Sequence, residues 1–143
     1  GLATAIANEK LPMKLTGISI MPYRDIRAHA AYYYEKVKEC YGLQVSLGPQ
    51  DFDINTDYDY GAYNNPVEEV RQAIYYLGRR EGIIVDPCYT GKTFNAILDM
   101  ARKGMLDKSE TYIMIHTGGV PGIYTKHHRS AMEEELIDLI HVI

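Results

Sequence analysis

At 143 residues with 46% apolar content, the chain has the length of one domain and enough hydrophobic material for a core. A net charge of -4 and a pI near 5.7 argue against the basic face that nucleic acid binding calls for, and no apolar run approaches the roughly 18 residues of a membrane-spanning helix. Cys40 and Cys88 are too few for a disulfide framework and lack metal-type spacing, so a reducing, cytoplasmic setting is the expectation.

Residues 1–11 are Ala-rich and read as the remainder of a helix that ends before Pro12. The chain opens straight into this segment at Gly1 with no initiator Met, as part of a longer chain would. Leu15 to Met21 reads as a strand. From Arg24 to Tyr41 a helix is expected, with Ile26, Ala30, Tyr33, Val37 and Tyr41 as its packing stripe and Gly42 as its end. Gln44 to Leu47 alternates as a half-buried strand does. The acidic, Tyr-rich stretch 51–65 lacks the glycine and glutamate that a calcium loop needs, so it reads as a solvated or site-lining loop.

Asn65, Pro66 and Glu68 have the grammar of a helix start, and Val67, Val70, Ala73, Ile74 and Leu77 supply the buried stripe as far as Gly78 or Gly82. Gly82 to Val85 is a short strand-type run. A helix from Lys92 to Lys103 follows, with Phe94, Ile97, Leu98 and Ala101 turned inward. Thr111 to Ile115 is apolar enough for a central parallel strand covered on both sides. Ser130 and Glu133 form a capping box that opens a last helix, Ala131 to about His141, packed through Met132, Leu136, Leu139 and Ile140. Alternating strands and helices predict an α/β class, a three-layer doubly wound fold with a mostly parallel sheet.

Two loops carry the chemistry. Glu81-Gly-Ile-Ile-Val-Asp-Pro-Cys-Tyr-Thr-Gly-Lys92 and His116-Thr-Gly-Gly-Val-Pro-Gly122 each follow a strand-type run, and loops at the carboxyl ends of strands are where ligands sit in such sheets. The first is a near miss for a nucleotide phosphate loop, with Asp86 in place of the first glycine, where a carboxylate would repel polyphosphate. His116 reads equally as a satisfied strand-end histidine or a catalytic one, Cys88 as packing, and His127 and His128 lack companions for a metal site.

In this order and with a helix between them, E-G-I-x-x-D-P-x-Y-T-G-K and H-T-G-G-x-P resemble the pyridoxal-phosphate enzymes of the D-cysteine desulfhydrase and 1-aminocyclopropane-1-carboxylate deaminase group, within the tryptophan-synthase-β-like fold. The likeness runs from Gly1 to about Tyr124. It implies that 1–124 is the C-terminal part of a cofactor-binding domain, with 125–143 a tail helix packed on it. It implies pyridoxal phosphate as cofactor, a small amino acid as substrate, the remainder of an enzyme chain as partner and a homo-oligomer as a possible assembly. By resemblance, Tyr89 and Tyr60 are the active-site tyrosines, Thr90, Thr117, Gly118 and Gly119 adjoin the cofactor ring, and Gly1 ends the phosphate loop. The Schiff-base lysine of the family has no match; Lys92 belongs to a different motif.

In the deaminase branch the position of Thr90 is usually Glu and that of Thr117 usually Leu. A hydroxyl near the pyridine nitrogen supplies no charge, so the ring is a weaker electron sink, suited to eliminating a good β leaving group. The resemblance therefore implies a desulfhydrase-like lyase that releases pyruvate, ammonia and sulfide, with the isolated chain inactive for want of the lysine. The near alternative is a 1-aminocyclopropane-1-carboxylate deaminase. The distant ones are a non-catalytic α/β ligand-binding module and a nucleotide-binding domain.

Overall fold

The computed structural model describes residues 1–137. Its elements are α1 (Leu2–Asn8), β1 (Thr16–Ile18), α2 (Ile26–Tyr41), β2 (Asp53–Asn55), α3 (Glu68–Glu81), α4 (Thr90–Arg102) and α5 (Lys126–Leu136), with 3-10 turns at Pro49–Asp51 and Val120–Tyr124. β1 and β2 pair in parallel, Thr16 opposite Asp53 and Ile18 opposite Asn55. Parallel neighbours need a crossover, and α2 supplies it. Asp25 caps α2 by accepting from Ala28 N–H, and Gly42 closes it in the left-handed conformation at φ 63°.

The packing stripe of α2 is turned from the expected one. Ala31 and Tyr34 are buried, whereas Tyr33 and Tyr41 are 57% and 77% exposed. Tyr34 decides this, because its hydroxyl donates to Val45 O at 2.7 Å and its ring meets Phe52, pinning that face to the chain that leaves the helix.

Three expected strands, 44–47, 82–85 and 111–115, are not strands among the described residues. Apolar side chains make a run capable of joining a sheet, but only a neighbour that takes its N–H and C=O groups makes it a strand. Ile113 is 73% exposed, the reverse of a central strand. The last two runs are joined by a side chain instead: His116 Nε2–H donates to Ile84 O at 3.0 Å, and His116 Nδ1 accepts from Gly118 N–H at 3.1 Å. Both ring nitrogens are thereby satisfied.

α3 starts two residues past the expected point, behind Val67, because the Asn65 amide is spent on Tyr60 O instead of on a cap. Its buried stripe is Val70, Ala73, Ile74 and Leu77, and Gly82 ends it. α4 starts earlier than expected, at Thr90, and Ala101 is exposed. α5 also starts earlier, at Lys126, so Ser130 lies inside the helix and the capping-box reading fails; Glu133 instead pairs with Arg129 one turn back. The expected end of that helix near His141, with Leu139 and Ile140, lies outside the described residues.

The core comprises Val70, Ile74, Tyr75, Leu77, Val85 and Met132, so α3, α5 and the run before α4 share one apolar centre. A polar tie reinforces it. Arg71 of α3 grips Glu135 of α5 through Nε and Nη2, and Tyr75 O–H donates to the same carboxylate at 2.6 Å.

Candidate active site

Asp86 is the centre of the first loop. It is fully buried, and its carboxylate accepts from Thr90 N–H and Thr90 O–H at 2.7 Å through Oδ1, and from Cys88 and Tyr89 N–H at 2.8 and 2.7 Å through Oδ2. The Thr90 amide is one of the donors that the first turn of a helix leaves unpaired, and those of Cys88 and Tyr89 lie just before it. Asp86 thus holds the turn that leads into α4, and Gly91 N–H closes it on Asp86 O at 2.7 Å. Gly91 is required there, since a Cβ would press on the Asp86 carbonyl. The turn before α4 already holds an internal anion, which would repel a phosphate, so the phosphate-loop likeness ends at the spelling.

Lys92 is also fully buried. Its ammonium donates to Ile20, Asp59 and Ala62 carbonyls at 2.6, 2.8 and 3.0 Å, using all three protons. It begins a polar stripe on α4. Asn95 donates to the Tyr60 hydroxyl, and Asp99 accepts from Tyr58 O–H at 2.8 Å. Burial, then the Asp99 carboxylate, push Tyr58 up to about 12. This stripe holds the Tyr-rich loop 57–65 in place.

Within that loop the structure separates the tyrosines. Tyr60, expected as the second active-site tyrosine, bonds Asn95 and lines a cleft between α3 and α4 with Tyr58 and Asp99. Burial raises its pKa, keeping the phenol protonated. The residue brought to Tyr89 is Tyr63: the two hydroxyls are hydrogen-bonded and the rings meet edge to face at 5.8 Å. That hydrogen bond raises the Tyr63 pKa. Both rings are partly exposed, at 50% and 39%, so the pair can be reached from outside.

The second loop adjoins the first. Gly119, at φ 94°, leaves the space of its missing side chain to Asp86, whose Oδ1 would lie 2.6 Å from a Cβ. Gly118, at φ 99°, has open space where a Cβ would stand. The Thr90 hydroxyl lies 3.5 Å from Gly118 O, but its proton is committed to Asp86 and the residue is buried. Thr117 is exposed. The two loops therefore meet, while the two threonine hydroxyls face different surroundings. Gly1 caps α1, accepting from Ala5 N–H at 2.9 Å, and no hydrogen bond joins it to either loop.

Sequence reasoning missed Asp86 as an organiser and Tyr63 as the partner of Tyr89. Asp86 has a signal, an acid with Thr four places on at the head of a helical pattern, which is cap grammar. Tyr63 has none, because the 26 residues separating it from Tyr89 are bridged only by the fold.

A crystal structure described as an "ACC deaminase homologue" superposes on 97% of this chain with a TM-score of 0.76 and 30% identity, over 39% of its own length. The match reaches past Tyr124 into the tail. The fold and the two joined loops define a mixed α/β unit with parallel strands, of the type found in fold-type II pyridoxal-phosphate enzymes. No protein-family model matches the chain.

Curated sequences narrow the class. A Pyrococcus abyssi protein named "Putative 1-aminocyclopropane-1-carboxylate deaminase" is 42% identical over 104 residues, 72% of this chain and 29% of its own. The 1-aminocyclopropane-1-carboxylate deaminase of Allorhizobium ampelinum is 30% identical over 86% of this chain and 37% of its own. D-cysteine desulfhydrase of Yersinia enterocolitica is 39% identical over 59% of this chain and 26% of its own. The chain belongs to the 1-aminocyclopropane-1-carboxylate deaminase and D-cysteine desulfhydrase family, and spans 26–39% of the length of these relatives.

Proposed function

We propose that the chain supplies one wall of the active site of a pyridoxal-phosphate-dependent lyase that eliminates the β substituent of a small amino acid, in the manner of a D-cysteine desulfhydrase. The observation that carries this is the hydroxyl pair Tyr63–Tyr89, whose Tyr89 belongs to the D-P-x-Y-T-G loop that adjoins the Gly118–Gly119 turn. The residues present fit one side of such a cofactor. Gly118 offers bare backbone and Thr117 an exposed hydroxyl, while the Thr90 hydroxyl is buried with its proton held by Asp86. When bound, the cofactor supplies the electron sink that makes the substrate's α-proton acidic.

The chain's own groups do the rest. One phenol of the pair donates to the other, and the second phenol keeps its proton to donate to a substrate carboxylate or leaving thiolate. D-Cysteine would lose its α-proton and its β-sulfur and take up one water, giving pyruvate, ammonia and hydrogen sulfide. Lys92 takes no part, since a nucleophilic amine must be neutral and this ammonium is saturated by three carbonyls.

The test uses the longer protein that contains this chain, loaded with cofactor and assayed for keto-acid release from D-cysteine and from 1-aminocyclopropane-1-carboxylate. D-Cysteine is the expected better substrate, and Tyr89→Phe is expected to lower turnover about 100-fold or more. Full activity of Tyr89→Phe, or turnover of neither amino acid, overturns the reading. Preference for the cyclopropane substrate moves the assignment to the deaminase.

A further inference from the structure

The segment that carries Tyr63 is held on one side by α4, where Lys92 binds Ala62 O, and on the other by α5. Tyr60 and Asn64 on either side lie at φ 57° and 58°, in the left-handed region that non-glycine residues seldom adopt. What holds Asn64 is α5. Its amide oxygen accepts from His128 Nε2–H at 2.8 Å, and its amide nitrogen donates to His127 Nε2 at 2.9 Å. Two successive imidazoles, 4.5 Å apart, grip one side chain from both ends.

The grip requires a proton on His128 Nε2, and the surroundings of the ring favour its neutral form. His128 is fully buried, and its Nδ1 has no hydrogen-bond partner among the described residues. Burial lowers its pKa; His127 on the same helix and Arg71 of α3 act the same way, against Asp86 before α4 and the Asn64 contact. α5 is anchored in turn by the Arg71–Glu135 pair and Tyr75. A continuous line of contacts thus runs from α3 through α5 and Asn64 to the backbone of Tyr63.

We propose that His128 is a positioning residue for Tyr63: through Asn64 it sets the backbone that places the Tyr63 hydroxyl on that of Tyr89. This deepens the proposed function, and rests on it for the importance of Tyr63, but the geometry can be tested without turnover. The alternative is that His128 only adds stability.

The full chain, labelled with carbon-13 at tyrosine Cζ, is titrated by NMR, with the Tyr63 and Tyr89 signals assigned from their Phe variants. In the parent chain Tyr63 is expected to titrate above an ordinary tyrosine. In His128→Leu its midpoint falls by about one pH unit or more as the Tyr89 partner is lost. His128→Gln presents an N–H near the place of Nε2 and retains the parent midpoint. Asn64→Gly tolerates the left-handed backbone, removes the gripped amide, and behaves as His128→Leu. A folded His128→Leu or Asn64→Gly with an unchanged Tyr63 midpoint overturns the proposal, as does a Gln variant that behaves like Leu; should His128→Leu fail to fold, Asn64→Gly decides. If the midpoints move as expected while Tyr63→Phe leaves turnover in the longer protein untouched, the positioning role stands and the assignment of Tyr63 to the active site falls.

Discussion

Asp86 and Lys92 show how differently two buried charges can be read from residue type. Each sits in a sequence that invites a ligand, and each is wholly occupied by the protein itself, the carboxylate by four donors and the ammonium by three carbonyls. Asp86→Asn would turn an amide N–H₂ toward backbone N–H groups, which can only donate. We expect it to cost about 3 kcal/mol, from lost charge-assisted bonds and one buried mismatch, read as a lower urea midpoint with an unchanged slope. His128 makes a pH-dependent prediction. Its folded pKa lies below the ordinary value of 6.5, so the unfolded chain takes up a proton that the folded one refuses. The stability involved is present above about pH 6.5 and declines as pH falls from there toward the folded pKa. Comparing urea midpoints at about pH 7.5 and 5.5 should show a smaller drop for His128→Gln than for the parent chain.

At the level of elements, each helix has a face that hydropathy finds and another that it does not. The apolar stripe of α3 is readable as Val70, Ala73, Ile74 and Leu77, yet Arg71 beside it is just as much a packing residue, 9% exposed and bound to Glu135. Removing one partner of a largely buried pair strands the other. Arg71→Met is therefore expected to cost about 3 kcal/mol and, because α5 carries His127 and His128, to loosen the Tyr63 segment as well. Hydrogen exchange measured across residues 60–66 checks this, with faster exchange in the variant as the expected result. α4 follows the same rule. Its inward face includes Lys92 and Asn95, which hold the loop of tyrosines, and a pattern counted only in apolar residues placed Ala101 inside when it is outside.

Over the whole molecule, apolar surface is left in the open where sequence reasoning placed strands. Ile83, Ile84, Tyr112, Ile113 and Ile115 are 47, 47, 49, 73 and 49% exposed. Monomeric proteins seldom leave such runs uncovered. The chain in isolation is therefore expected to enhance the fluorescence of a hydrophobic dye, and Ile113→Lys to reduce that signal without changing the urea midpoint by more than about 0.5 kcal/mol equivalent, the usual range for a surface substitution. No helix among the described residues is long and apolar enough to cross a membrane.

Read alone, the sequence determined the α/β class, the βα unit near the start, the apolar stripe of α3, the two glycine-bearing loops and, through their motifs, the family. These rest on local signals: period, caps, and glycines where backbone must pass closely. What tertiary structure alone decided was which tyrosine meets Tyr89, that the proton of Thr90 belongs to Asp86, and that the apolar runs at 82–85 and 111–115 stay outside a ladder. Each depends on partners far along the chain, and a side chain's spacing in sequence carries no record of which distant group will take its hydrogen bond.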